Sequence, residues 1–350
     1  MADPEQLHAE GARLGRRRSW VVLGVVLVVL AGLVAFRVGG PGQDPVPVPV
    51  PAPFPTQPSP RSQAWPDGLP PGTLFVAAGG SLSTIDTADG APTSTGVEAT
   101  SGATMLTPLA DGVLVWRPGT RAGRALLVDG LTVGPLRGRL RTATGFLPGP
   151  DGRVWASEGS RSPRTTWRLV DADGRATTSV VVDGSAADDG AGGLLAVGRQ
   201  GFRPVFPRPR RVQPGEVVAT GPDGYVVRSC AEAECRFVLH RHADGSDTEL
   251  QTAVGEDTSG GSLSPANRLL AVVENVGGTT TLRVSVVATG EVREIFAAPA
   301  RSTNDAVWLD DRWLALVSED RLVLYDAVDG RVVTPDVSLR DLGPLAWRAG

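Results

Sequence analysis

The chain contains no lysine: all 34 basic residues are arginine, set against 38 acidic ones for a formal net charge of −4. Histidine occurs three times in 350 residues, and tyrosine, methionine and cysteine twice each. Each shortage removes a class of function. Without a basic excess there is no electrostatic footprint for nucleic acid, which is not expected as a partner. Two cysteines and three scattered histidines cannot complete a zinc centre, so neither a metal nor a cofactor is expected. No Gly-x-Ser-x-Gly elbow accompanies a positioned histidine, so no hydrolase triad is implied and no catalytic residue is assigned.

Long apolar runs are also scarce, with one exception. Residues 20–36, WVVLGVVLVVLAGLVAF, carry no charge, and Arg13, Arg16, Arg17 and Arg18 crowd their N-terminal side. At about 1.5 Å per residue the run spans roughly 26–29 Å, enough for a hydrocarbon core of about 30 Å. The arginine asymmetry predicts a single-pass anchor: a cytoplasmic tail over 1–18, a membrane helix over 19–38, and everything later outside. A cleaved signal peptide fits less well, because the run exceeds the usual apolar length and its small-residue site is buried within it. Residues 39–72 are rich in Pro-Val and Pro-Ala, which favours an extended polyproline spacer. The remaining 73–350 form the extracytoplasmic domain.

That domain reads as short apolar strands separated by Gly, Asp and Pro, with no helical period. Turn signals recur at Asp89-Gly90, Asp129-Gly130, Asp173-Gly174, Asp244-Gly245, Thr289-Gly290 and Asp329-Gly330, in steps of 40, 44, 71, 45 and 40 residues. Pro214-Gly215 falls inside the long step as a degenerate turn. Asp-Gly between apolar alternations is a hairpin signal, since both central residues take positive φ. A period of about 40 residues is that of a four-stranded propeller blade. Seven blades are expected, with six or eight left open. GPLAWRA at 343–349 supplies the strand that the first blade lacks, which closes the ring and removes two sheet edges.

LSPANRLLAVVEN at 263–275 resembles the Ser-Pro-Asp-Gly strand turn of TolB-type and WD-repeat-like propellers, with Ala266-Asn267 in place of Asp-Gly. PGPDGRVWAS at 148–157 and TGPDGYVV at 220–227 are closer to that turn. The Gly-His and Trp-Asp signatures of true WD repeats are missing. The resemblance implies an all-β, membrane-anchored β-propeller, and the lysine-free, glycine-rich composition marks a GC-rich genome of actinobacterial type. A fold of this kind does not by itself imply an activity.

Four groups of residues stand out. Cys230 and Cys235 flank a hairpin turn outside the membrane, where a disulfide is the default. His240 and His242 fall two apart on a strand and are read as surface-exposed. Asp86, Asp89, Asp171, Asp173, Asp326 and Asp329 recur at equivalent places and are read as turn residues bonding their own backbone. Arg199, Arg203, Arg208, Arg210 and Arg211 lie within GRQGFRPVFPRPRRVQPG at 198–215, interleaved with Phe202, Phe206 and prolines. The prolines argue for an irregular excursion in place of a strand pair, and the arginines suit a carboxylate or phosphate. The expected function is non-enzymatic: a binding or scaffold propeller on the cell membrane, facing an envelope protein or anionic envelope component. The alternative is a propeller enzyme of lactonase, glycan-active hydrolase or quinoprotein type.

Overall fold

The computed structural model describes residues 63–99, 104–109, 112–118, 126–129, 132–134, 136–159, 164–231, 234–251, 258–276, 279–297, 306–318 and 320–350. The expected tail, the membrane span and the spacer up to residue 62 lie outside these. Among the described residues no helix is long and apolar enough to cross a membrane. Residues 63–71, expected as spacer, lie against the sheets: Gln63 bridges to Pro335, and Trp65 Nε1 donates to the Thr87 carbonyl at 2.9 Å.

The architecture is all-β, with two short 3₁₀ turns and a propeller-like arrangement of sheets. The first sheet holds β1 (Gly72–Ala78), β2 (Ser81–Asp86) and β3 (Pro92–Glu98). The second holds β4 (Met105–Pro108), β5 (Val113–Trp116), β6 (Leu126–Asp129) and β7 (Thr132–Gly134). The third holds β8 (Gly145–Pro148), β9 (Val154–Glu158), β10 (Arg164–Val170) and β11 (Ala176–Asp183). The fourth has only three strands, β12 (Ser185–Asp188), β13 (Leu194–Gly198) and β14 (Gly201–Phe206).

An eight-stranded sheet follows. One half is β15 (Glu216–Gly221), β16 (Gly224–Ala231), β17 (Glu234–Arg241) and β18 (Asp247–Glu249). The other half is β19 (Thr258–Leu263), β20 (Leu269–Val276), β21 (Thr279–Val286) and β22 (Val292–Ala297). A single parallel pair, Thr220 with Ser262, joins the halves. The last sheet is β23 (Ala306–Trp308), β24 (Trp313–Ser318), β25 (Arg321–Asp326) and β26 (Arg331–Val333). The C-terminal strand β27 (Leu345–Ala349) then returns to pair antiparallel with β1, Phe75 facing Ala346.

Runs such as FVAA and WLALV are continuous rather than alternating because these strands are buried on both faces. In β24, Leu314 and Leu316 pack with Leu282 and Val284 of β21, while Trp313 and Ala315 pack with Leu74 and Val76 of β1. Every hydrophobic cluster lies between two successive sheets or half-sheets in this way. Indole nitrogens tie neighbours together: Trp155 Nε1 donates to the Gly192 carbonyl at 2.9 Å and Trp308 Nε1 to that of Ser262 at 3.3 Å.

Apart from Asp129-Gly130, whose glycine lies outside the described residues, the recurrent Asp-Gly and Thr-Gly signals fall between the third and fourth strands of their units, as at Asp89-Gly90 between β2 and β3. The glycine alone takes positive φ, not both residues as expected, because these connections are longer than a two-residue hairpin turn. Asp86 and Asp171 accept backbone N–H groups of Ala88 and Arg175. Asp326 does more than cap a turn. It is fully buried and receives two hydrogen bonds from the Arg312 guanidinium, at 2.9 and 2.6 Å. Burial alone would raise its pKa, but Arg312 and the N–H groups of Asp329 and Val328 outweigh that and hold the carboxyl below the ordinary range.

Because β27 supplies the inner strand of the first sheet, deleting residues 343–350 exposes the inner edge of β1 and removes the buried Leu345 and Ala346. Differential scanning calorimetry should show the whole domain melting earlier, with a loss of about 3 kcal/mol or more. Unchanged melting would show that the two chain ends are not what holds the sheets together.

Candidate functional site

The arginine-rich segment is more ordered than its prolines suggest. Gly201–Phe206 forms β14, pairing with β13, so the strand pair expected to be lost is present. Pro204 is tolerated because β14 is an edge strand, where a missing donor faces no partner. What is lost is the fourth strand and its hairpin turn. Residues 207–212 instead form a tongue, closed at its base by two backbone hydrogen bonds between Phe202 and Gln213 and held back by the Arg210 N–H on the Pro204 carbonyl at 3.0 Å. Pro214-Gly215 lies past the tongue and is not the degenerate hairpin turn expected there.

This tongue borders a cavity of about 550 Å³ between the fourth sheet and the β15–β18 half-sheet. Of the five arginines, Arg208 and Arg210 line it. Arg199 is exposed on the turn between β13 and β14, Arg211 is exposed on the tongue, and Arg203 reaches Asp183 at 3.9 Å. The remaining polar lining comes from Asp189, Tyr225, His240 and His242.

His240 is not on the surface: it is 8% exposed, and the ring of Tyr225 covers it at 4.9 Å between centroids. Tyr225 and His240 are direct partners across the β16–β17 hairpin, which packs apolar carbon against both rings. The His240 Nε2 faces Arg210 Nη1 at 3.4 Å and its Nδ1 faces Asp247 Oδ1 at 2.7 Å. A guanidinium can only donate, so Nε2 accepts and the ring proton sits on Nδ1, directed at the carboxylate. His242 lies on the same face of the chain, and its Nε2 donates to the Asp189 carbonyl at 2.9 Å. Asp189 Oδ1 in turn accepts the N–H groups of Ala191 and Gly193. Gly193 is required there, since a Cβ would stand 2.1 Å from Asp189 Oδ2.

Tyr225 is 2% exposed, and its hydroxyl is buried with no partner among the described residues. Burial pushes its pKa up to about 12, with Asp189 and Asp247 adding to the rise and Arg210 opposing it, so it remains a donor at any physiological pH. Next to this group, Asp188 is pushed up to about 6. Burial is the main cause, the Gly190 N–H opposes it, and the charge of Asp189 adds a smaller rise. The cavity therefore offers two guanidinium groups and a phenolic donor against the Asp189 carboxylate, while both His240 nitrogens are engaged by Arg210 and Asp247; the guanidinium pair suits an anionic group.

The other sequence pair is joined. Cys230 and Cys235 form a disulfide across the β16–β17 hairpin, with Cα atoms 4.0 Å apart. The sequence reading missed Tyr225, Asp189 and Asp247. The signal for the first was present, because pairing Cys230 with Cys235 sets a register that places Tyr225 opposite His240.

No protein-family model matches the sequence, and no curated protein matches it. Solved structures do. The periplasmic gluconolactonase PpgL of Pseudomonas aeruginosa aligns with a TM-score of 0.51 at 16% identity, over 80% of this chain and 99% of that one. The β-propeller domain of the Trilobed protease from Pyrococcus furiosus, described as having an open velcro topology, aligns at 0.52 and 10% identity, over 75% and 92%. TolB from Acinetobacter baumannii aligns at 0.44 and 13% identity, over 79% of this chain and 66% of that one, and adds no argument of its own. At such identities the likeness shows the fold alone: an all-β protein of propeller-like architecture.

Two outcomes follow for Tyr225 and Asp188. Tyr225→Phe removes an unpartnered hydroxyl and should leave the melting temperature unchanged or raise it; a fall would reveal a partner for that oxygen. Asp188 has a folded pKa above its unfolded one, so its favourable contribution is complete below about pH 4 and lost as pH rises through about 6. Asp188→Asn should accordingly raise the melting temperature at pH 8 and leave it nearly unchanged at pH 4. A difference independent of pH would reject a protonation origin.

Proposed function

We propose that this chain is a seven-bladed propeller, from a genome of actinobacterial type, that binds rather than catalyses. In this reading residues 1–18 are cytoplasmic, 19–38 cross the membrane, and the spacer displays the domain outside. The bound partner is an envelope protein or an anionic envelope component. The blade count is supported by treating the eight-stranded sheet as two units, since one residue pair joins its halves. The binding reading is carried by one observation: Arg208 and Arg210 converge on a cavity whose buried Tyr225 hydroxyl has no partner among the described residues. Arg199, Arg203 and Arg211 would extend the positive field around it without touching the ligand.

A second reading, a propeller enzyme, is favoured by the His240–Asp247 contact, because a carboxylate that fixes the imidazole tautomer is how a general base is oriented. One structural neighbour is a periplasmic gluconolactonase. Against this reading, Nε2 of His240 is turned to Arg210, which occupies the lone pair that a general base would use.

Fluorescence anisotropy with a labelled heparin oligosaccharide as polyanion probe separates the readings. Replacing Arg208 and Arg210 together by Ser should weaken binding at least about tenfold, and Arg211→Ser should weaken it less. Wild-type binding should fall as salt rises, since exposed charge is screened over about 8 Å at physiological ionic strength. Equal binding by the double variant at every salt concentration would end the proposal. Turnover of glucono-δ-lactone that disappears in His240→Asn would put the enzymatic reading in its place.

A further inference from the structure

A second cavity, of about 620 Å³, opens on the opposite side of β17, between β18 and the turns that follow β19, β21 and β25. Its walls are apolar, built from Leu239, Leu269 and Val287, and Val328 stands at its border, 63% exposed. Asn267 also lines it. That residue is 3% exposed, and neither its Nδ2 nor its Oδ1 has a partner among the described residues. A left-handed backbone, φ 54°, explains why Asn is accepted in the turn. It does not explain a buried carboxamide left unpaired, because Gly would serve that backbone equally well.

Charge and backbone add two further observations. The border carries Arg241, Arg268 and Arg293 against Glu249 and Asp311. Asp311 is engaged by the Ala266 N–H at 2.7 Å, and Arg293 donates to the Ala327 carbonyl. The balance is positive. Thr248 and Glu249, which also line the cavity, belong to β18, which pairs with β17 on one side and has no strand on the other among the described residues. An open strand edge accepts an extended chain.

We propose that this cavity docks an extended peptide segment of a partner protein, one with an apolar side chain beside an acidic one. A carboxamide presents a donor and an acceptor side by side, and an extended residue presents its own N–H and C=O toward the same side. An inorganic anion would satisfy only the Asn267 donor, a cation only its acceptor, and a hydrocarbon chain neither. The apolar walls take the peptide's aliphatic side chain, Arg241 and Arg268 take its carboxylate, and the β18 edge extends the pairing along the main chain. The site is independent of the arginine cavity described above.

The test pans a random heptapeptide phage library on the full-length chain in nanodiscs, with Asn267→Gly as counter-selection. Enriched peptides should contain an aliphatic residue next to Asp or Glu. By fluorescence anisotropy they should bind wild type at least tenfold more tightly than either Asn267→Gly or Val328→Glu. Gly suits the left-handed backbone, so the Asn267→Gly melting temperature should hold or rise. Should it drop, the exposed Val328→Glu variant decides alone. The Arg208, Arg210 double Ser variant should bind these peptides normally, which keeps this site distinct from the other. No enrichment over Asn267→Gly, or affinity for both variants equal to that for wild type, overturns the proposal. So does an Asn267-dependent thermal shift with inorganic phosphate or laurate in place of peptide.

Discussion

The structure depends on the pairing of Gly72–Val76 with Leu345–Ala349, because every sheet in it is apolar on both faces. A strand such as β24 sends Leu314 and Leu316 one way and Trp313 and Ala315 the other, so it needs a neighbour on each side. A row of such sheets has two unsatisfied ends unless the last packs on the first. The chain achieves this by placing its C-terminal strand in its N-terminal sheet, so that Leu345 and Ala346 face opposite clusters. Burial and hydrogen bonding thus converge on the same few residues, with β27 as the inner edge strand of the first sheet.

The fourth sheet is where this regularity is relaxed. Three prolines, Pro204, Pro207 and Pro209, follow one another closely, and no Asp-Gly turn is available to start a fourth strand. The backbone groups of a missing strand must still be satisfied, and the Phe202–Gln213 pair and the Arg210 N–H do so in part. The space that a fourth strand would have filled becomes a cavity wall lined by charged side chains. Arg208 and Arg210 thus reach the cavity from the place where the repeat breaks, while Tyr225, His240 and His242 reach it from the intact β16–β17 hairpin.

Much of this was legible in the sequence, and the limits have physical causes. Hairpin turns at Asp89-Gly90 through Asp329-Gly330 could be read because positive φ restricts residue choice, and the closing strand because the first blade lacked one. The Cys230–Cys235 bridge followed from compartment and spacing. The strand at Gly201–Phe206 was missed because proline signals the loss of a donor, and only the topology says whether that donor would face a partner. His240 was read as exposed because no third metal ligand was in view; its burial comes from the Tyr225 ring across the hairpin, with Arg210 and Asp247 at its two nitrogens. Asp189 reaches the cavity from a turn, and Asp247 reaches His240 from the outer strand β18, at positions that no periodicity marks.

Strand β17 shows how closely the two cavities are linked. Side chains alternate along it, so His240 and His242 line the cavity on one side while Leu239 and Arg241 line the cavity on the other. A slip of one residue in its pairing with β16 would exchange the two sets, placing Leu239 among the arginines and His240 in an apolar wall. Tyr225 would lose its partner, and Asp247 would face no imidazole. The Cys230–Cys235 disulfide closes the far end of the same hairpin, in register with Tyr225 and His240. On a chain-entropy estimate so short a loop adds only about 2 kcal/mol to stability. Its larger effect is to exclude the slipped register, so that a covalent bond remote from both cavities determines which side chains each one receives.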